Sequence, residues 1–385
     1  MGERAGGSRT ATHLRLAGRL TRARLADRPH TLSHLVTQRC NGSCPTCLWR
    51  DPARPEMDTE AVVWLYEQAG RLGMAQLVVW GGEPLLRPDL PELLLAARRA
   101  GLLVTLITNG WYLAERWPEL RGLVDALILS LDDVGAAHDR LRGLPGLYER
   151  LEAFVAGLDG EAAGRPAGPR GQSTAPRAPT APRGSTAPRG STAPEGASRP
   201  TLLVNTVLSR LNEGALERVA PVARRWRAGL YFCPMETGDL TRAGFAARHA
   251  ELALPAEGVR AAALQAAALK SAGYPILATR PYLDLLVRDP DVRDYVCRAP
   301  HALLTVESDG AVRDCRRSDR PLATVQELRA AGRSLRHVLA LPRRRALVAE
   351  ATSCTKCSNA DIVELSWLWD LRPAMLAKVA QLTGL

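Results

Sequence analysis

Residues 32–47 read "LSHLVTQRCNGSCPTC". A strand-like apolar run ends on Cys40, and Cys44 and Cys47 follow in C-x3-C-x2-C spacing. A closed tetrahedral metal site takes four ligands. Three thiols in one loop therefore leave a fourth position to be supplied elsewhere or kept open. Downstream, strand-like runs alternate with helical ones. "DTEAVVWLYEQAGRLG" (58–73) reads as an amphipathic helix starting at Asp58 or Thr59. "AQLVVWGGEP" reads as a strand, "PDLPELLLAARRAG" as a helix and "LLVTLITNG" as a strand. "LAERWPELRGL" and "DALILSLDD" follow as helix and strand, then the helix "GLYERLEAFVAGL". After an interruption come "TLLVNTVLS", a helix over 212–227 and "AGLYFCPME". Six β/α repeats of this kind predict an α/β fold, a partial (β/α)6 TIM-like barrel of parallel strands.

The interruption, residues 161–200, is rich in proline, alanine, threonine and arginine. Thr-Ala-Pro recurs from 174, 180, 186 and 192. Such a segment has too little apolar surface to offset its chain entropy, so disorder is expected. It leaves a helix and enters a strand, which places it on the face opposite the strand ends. The strand ends carry the chemistry: Cys40 onward, Gly81 to Pro84, Thr108 to Gly110, Ser130 to Asp132 and Cys233 to Glu236.

Composition narrows the function classes. At 385 residues with 46% hydrophobic content, the chain suits one large α/β domain plus a smaller one. The net charge is +11, yet only Lys270, Lys356 and Lys378 are lysines, so 48 of the 51 basic residues are arginine. They are scattered rather than aligned with aromatics, which argues against nucleic acid as partner. No signal peptide and no apolar run of membrane-spanning length is visible, so a cytoplasmic location and reduced thiols are expected.

The three-cysteine loop, "GGEP", "LITNG", "LSLDD" with "HDRLRGLPGLY", and "VNTVLSRLN" together resemble the radical S-adenosylmethionine (SAM) superfamily over residues 33–240, the 161–200 insert excluded. The resemblance implies that Cys40, Cys44 and Cys47 hold three irons of a [4Fe-4S] cluster, with SAM on the fourth. One-electron reduction then cleaves SAM to a 5′-deoxyadenosyl radical that abstracts hydrogen from substrate. It further implies that Gly81, Gly82, Glu83 and Pro84 meet the SAM ammonium, and that Ser130 and Asn205 contact its carboxylate or ribose. Thr108 and Asn109 are cofactor-contact candidates that also suit a turn. Thr46 stands where relatives commonly carry an aromatic residue near the adenine; Trp49 and Tyr231 are possible replacements. An external one-electron reductant such as flavodoxin or ferredoxin is expected.

The remaining cysteines are Cys233, Cys297, Cys315, Cys354 and Cys357. "CRAPHALLTVESDGAVRDC" places a hairpin turn at "SDG" between Cys297 and Cys315, and "CTKC" adds a C-x2-C pair. This set resembles the shortened, twitch form of the auxiliary-cluster extension called SPASM. It implies a second, fully ligated [4Fe-4S] cluster on Cys297, Cys315, Cys354 and Cys357; four thiolates of this spacing also suit zinc. The domain reading is a basic extension at 1–32, the barrel at 33–240, a helical connection at 241–296, the auxiliary-cluster domain at 297–360 and a C-terminal helix at 361–385. Cys233 reads as a buried small hydrophobe or as an active-face thiol. His138 and Arg142 read as loop-orienting residues or a solvated helix start, and His34 and His301 as core histidines. The basic stretch 13–29 reads as a helix packed on the barrel edge.

The cysteine spacing also resembles the aminocyclitol alcohol dehydrogenase of antibiotic biosynthesis. That likeness favours oxidation or rearrangement of a small-molecule substrate. The second reading is modification of a ribosomally made peptide.

Overall fold

In the computed structural model the described residues are 18–162, 199–236, 250–315, 321–354 and 357–383. The bulk of the insert, including its Thr-Ala-Pro repeats, lies outside them. Six parallel strands form as the alternation predicts: β1 (Thr31–Thr37), β2 (Gln76–Gly81), β3 (Leu103–Thr108), β4 (Ala126–Ser130), β5 (Thr201–Leu208) and β6 (Gly229–Pro234). Three short strands follow: β7 (Leu303–Val306), β8 (Ala311–Arg313) and β9 (Ala323–Thr324). The sheet order is β6-β5-β4-β3-β2-β1-β7-β8-β9. It is the α/β, partial-barrel arrangement anticipated for the chain.

Side chains alternate between the two sheet faces. On β4, β5 and β6 one set is buried and the other half-buried. The buried set, including Leu127, Leu129, Val204, Leu230 and Phe232, joins one core with Leu65, Leu94 and Val219 from the covering helices. Each such leucine stabilises the fold by roughly 1.5–3 kcal/mol on leaving water. The half-buried set, with Ile128, Ser130, Asn205, Tyr231 and Cys233, faces the barrel interior. The helix Thr59–Leu72 begins where its sequence signals place it: the Asp58 carboxylate accepts from Ala61 N at 2.7 Å. Gly73, in the left-handed region at φ +84°, ends it.

The "SDG" hairpin forms, with Gly310 at φ +90° and β7 antiparallel to β8. Its other edge is less foreseeable: β7 pairs in parallel with β1, Thr31 opposite Leu303 through His34 opposite Val306. Every β7 residue is buried, as suits a parallel strand covered on both faces. The segment containing Cys297 and Cys315 is thereby welded to the strand that carries Cys40.

The chain ends clasp each other through Trp369. Arg24, in a helix over 18–25, donates from Nε to Trp369 O at 2.8 Å, and its guanidinium lies 5.2 Å from the Trp369 ring centre. His30 and His301 stack on the same indole. His34 is a core histidine, bonded through Nδ1 to Tyr66 OH at 2.9 Å and held neutral by burial, its pKa lowered to about 3. His301 departs from that expectation: it is half-buried and its Nδ1 meets the Asp27 carboxylate, because the apolar run starts only at the next residues.

Gly81 and Gly73 test how strictly the strand end is built. A Cβ at Gly81 would lie 2.1 Å from Thr37 O, on a backbone at φ +148°, whereas a Cβ at Gly73 meets nothing within 4 Å. Gly73→Ala is expected to cost about 1 kcal/mol, and Gly81→Ala at least about 2 kcal/mol more. Denaturant midpoints of the two variants check this; equal losses would contradict it.

Candidate active site

Cys40, Cys44 and Cys47 sit in the loop after β1, and all three are half-buried. Each sulfur receives an N–H. Gly42 N donates to Cys40 Sγ at 3.3 Å, Arg142 Nη1 to Cys44 Sγ at 3.8 Å, and Trp49 N to Cys47 Sγ at 3.4 Å. Asn109 Nδ2 adds a longer contact to Cys40 Sγ at 3.9 Å. Cys44 and Cys47 lie close enough to Cys40 to add to the upward shift of its thiol, and Cys47 adds to that of Cys44. Burial, with the Glu83 carboxylate beside it, pushes the Cys40 thiol up to about 12; burial also raises Cys44. Three soft, half-buried sulfur donors with N–H support fit a thiophilic iron–sulfur group. Among the described residues no three His, Cys, Asp or Glu side chains converge on one ion position.

The "GGEP" stretch fixes this loop. A Cβ at Gly82 would lie 2.2 Å from Arg39 O, so both glycines are already required by the approach of residues 37–39. Gly82 N donates to Thr37 O, and Glu83 N to Arg39 O, each at 2.8 Å. Glu83 is fully buried, and both its oxygens have partners. Oε1 accepts from Leu85 N at 3.0 Å and Thr108 Oγ1 at 2.8 Å; Oε2 accepts from Asn109 N at 2.7 Å. Burial raises its pKa to about 7 against these bonds. Thr108 and Asn109 are thus parts of a clasp between the ends of β2 and β3. Asn109 Nδ2 also reaches Asn41 Oδ1 at 2.9 Å, inside the cysteine loop. Pro84 starts a short 3-10 turn that Glu83 caps.

A second clasp comes from "LSLDD" and "HDRLRG". Arg142 Nη2 pairs with Asp132 Oδ2 at 2.8 Å while its carbonyl accepts from Ser43 N at 3.0 Å. Asp132 Oδ1 accepts from Val207 N at 2.9 Å, and Asp132 N donates to His138 Nδ1 at 3.2 Å. His138 is therefore neutral, its pKa lowered to about 3 chiefly by burial. Asp133 takes a two-pronged bond from Arg218 at 2.8 Å per arm. Sequence reading left Arg142 and His138 undecided and named Asp132 only as a strand-end residue, without its partner; the paired acids directly after a strand end were the available signal.

Ser130 and Asn205 are neighbours: they face each other across the β4–β5 register. Both are half-buried on the interior face, and neither side chain has a partner among the described residues. They are the polar pair left open at the strand ends. Trp49 meets Trp80 edge-on with ring centres 4.9 Å apart, and Trp80 Nε1 donates to Ser33 Oγ at 2.8 Å. Tyr231, opposite Asn205 on β6, lies beneath the Lys378 ammonium at 5.0 Å. Cys233 follows two residues later on the same half-buried face.

The C-terminal cysteines converge in part. Cys297 is buried, its thiol pushed up to about 11 chiefly by burial, with Cys315 and Cys354 near enough to add to the shift. Cys357 is buried two residues before Asn359, whose Nδ2 donates to Glu236 Oε1 at 2.6 Å, just beyond β6. Tyr282 OH donates to Ser358 O at 2.7 Å. The buried Lys378–Glu364 pair holds the last two helices together. This region therefore abuts the end of β6 and the open interior face.

The buried carboxylate gives a pH test. The folded pKa of Glu83 lies above that of a solvated glutamate, near 4.3. Its contribution to stability is full below that value and is lost as pH rises through about 7. Denaturant midpoints of the metal-free chain at pH 5 and pH 8 should differ less in Glu83→Gln than in wild type. That variant should also lose about 1–3 kcal/mol at pH 5, because an amide cannot accept all three bonds. An unchanged pH difference would contradict this account of Glu83.

Residues 35–156 match the family model described as the radical SAM superfamily. A curated relative, the PqqA peptide cyclase of Gluconobacter oxydans, is 41% identical over 133 residues, 32% of this chain and 37% of the cyclase. The AdoMet-dependent heme synthase of Methanosarcina barkeri is 33% identical over 137 residues, 34% of this chain and 39% of the synthase. The aligned segment thus spans little more than a third of each relative. Among solved structures, Streptococcus suis SuiB bound to its precursor peptide SuiA superposes with a TM-score of 0.59 at 13% identity, covering 84% of this chain and 67% of SuiB. That likeness concerns the fold, and it extends well past the matched segment. With the cysteine loop, the glycine-lined strand end and the parallel partial barrel in place, residues 35–156 form a radical SAM domain.

Proposed function

We propose that the chain is a radical SAM enzyme that modifies a peptide. The observation that carries the radical chemistry is the three-thiol loop, N–H-supported and clamped at the strand ends beside the open pair Ser130 and Asn205. When bound, a [4Fe-4S] cluster with SAM supplies reductive cleavage of SAM and hydrogen abstraction from substrate. Cys40, Cys44 and Cys47 would hold the cluster. Gly81, Gly82, Glu83 and Pro84 would form one wall of the SAM site, with Glu83 keeping that wall in register with Thr108 and Asn109. Ser130 and Asn205 would bond the carboxylate or ribose of SAM. Arg142 sets a positive charge beside Cys44 and favours the thiolate over the thiol.

Cys297, Cys315, Cys354 and Cys357 would hold a second [4Fe-4S] cluster, or zinc, next to the end of β6. An external reductant such as flavodoxin or ferredoxin would supply the electron. The peptide substrate is supported by the relative named a PqqA peptide cyclase and by the fold shared with a precursor-peptide complex. These favour a peptide over the small metabolite that the cysteine spacing suggests. A small-molecule substrate remains the second reading, carried by the relative named a heme synthase. Among the described residues no helix is long and apolar enough to cross a membrane.

The anaerobically reconstituted chain, given SAM and dithionite, is expected to form 5′-deoxyadenosine. A pool of ribosomally made precursor peptides should stimulate that formation, and peptide masses should fall by the hydrogens removed. Stimulation by small polyols and tetrapyrroles alone would overturn the peptide reading. No 5′-deoxyadenosine under any condition would overturn the radical reading.

A further inference from the structure

Opposite the cysteine loop, at the end of the barrel where the strands begin, lies a second concave surface. A cleft of about 440 Å³ opens between the helix Thr59–Leu72, the segment leading into β1 and the helices Val325–Ala330 and Arg336–Leu339. Arg28, Arg71, Arg329, Arg333 and Arg336 line it, five of its ten lining residues, and no aspartate or glutamate does. Arginine makes up 48 of the 385 residues of the chain, so this concentration exceeds the general excess. The guanidiniums are only lightly engaged. Arg71 has Glu67 at 3.3 Å and Arg329 has Asp58 at 3.8 Å, exposed and therefore weak pairs whose acids lie outside the lining. Arg333 Nη1 lies 2.9 Å from His337 Nε2. The side chains of Arg28 and Arg336 have no partner among the described residues.

A second observation points to a ligand. Gln68 lines the cleft and is only 6% exposed, yet its amide has no hydrogen-bond partner among the described residues. The small exposure that Gln68 keeps leaves its amide open to a ligand that enters the cleft. Trp64, half-buried on the same helix, adds an apolar wall.

We propose that this cleft binds an acidic peptide segment. Forked guanidiniums match carboxylates in two-pronged geometry. The Gln68 amide suits a peptide bond, which offers both a donor and an acceptor. Trp64 covers the aliphatic part of a glutamate side chain. A lone phosphate would use neither Trp64 nor the full volume. The inference rests on the peptide reading only for the origin of the ligand, an acidic stretch remote from the residue being modified. Because the cleft lies away from Cys40, binding there requires neither SAM nor reductant.

The test is fluorescence anisotropy with the reconstituted full chain and a fluorescein-labelled peptide of alternating glutamate and glycine. Saturable binding is expected, weakening as salt rises, and absent for the glutamine counterpart. Arg329→Glu/Arg333→Glu/Arg336→Glu should weaken it at least about tenfold. A charge-matched control, Arg121→Glu/Arg288→Glu/Arg293→Glu, none lining the cleft, should leave it nearly unchanged. If the triple variant misfolds by circular dichroism, the single exposed Arg333→Ala, expected to weaken binding about twofold, decides. Equal loss in the control, equal binding of the glutamine peptide, or no loss in Arg333→Ala would overturn the proposal. Tight binding of pyrophosphate with no binding of the peptide would also overturn it. Peptide binding without turnover would sink the proposed function alone, and turnover without cleft binding would sink this inference alone.

Discussion

Gly81 and Gly82 lie so close to the backbone of residues 37–39 that no side chain fits between them, and the rest of the site follows from that approach. It brings Glu83 N onto Arg39 O, one residue before Cys40, and carries the Glu83 carboxylate into the interior. There the carboxylate ties the end of β2 to Thr108 and Asn109 at the end of β3. Asn109 in turn reaches back to Asn41 and Cys40. Three strand ends are locked to one loop by backbone contact and one buried acid. Burying a carboxylate is unfavourable unless it is well bonded, and three hydrogen bonds offset that penalty only in part, which is why its pKa remains raised.

A loop held in this way has its backbone fixed on both sides of Cys40, so that its sulfurs are confined to one short stretch at the strand ends. The opposite side of the loop is fixed independently through Ser43, Arg142 and Asp132. Between the two clasps, Ser130 and Asn205 remain as polar groups with no internal partner among the described residues. β7 then bonds the Cys297–Cys315 segment to β1 itself, so that the first thiol loop and this part of the second set are positioned by one sheet.

The alternation of apolar strands and amphipathic helices was enough to place β1 to β6 and the helices between them, since each carries its own period and end signals. The three-cysteine loop and "GGEP" were equally legible, because their spacing is local. Contacts between distant residues were not legible. Nothing in "HDRLRG" says that Arg142 will meet Cys44, 98 residues earlier. Nothing in "ALLTVES" says that it will pair with β1. His301 was misread for the same reason: its partners, Asp27 and Trp369, come from the two ends of the chain. The arginine cleft is assembled from three separated segments whose charges looked scattered in sequence.

The central claim is that the loop after β1 holds one iron–sulfur cluster by itself and the C-terminal thiols hold another. Iron and acid-labile sulfide counts on the anaerobically reconstituted chain, beside Cys354→Ala/Cys357→Ala, test it most directly. About eight irons falling to about four in the variant is the predicted result. About four irons with about one zinc, only the zinc being lost in the variant, would contradict the second cluster and leave the C-terminal site structural. Loss of all iron in the variant would contradict the independence of the first.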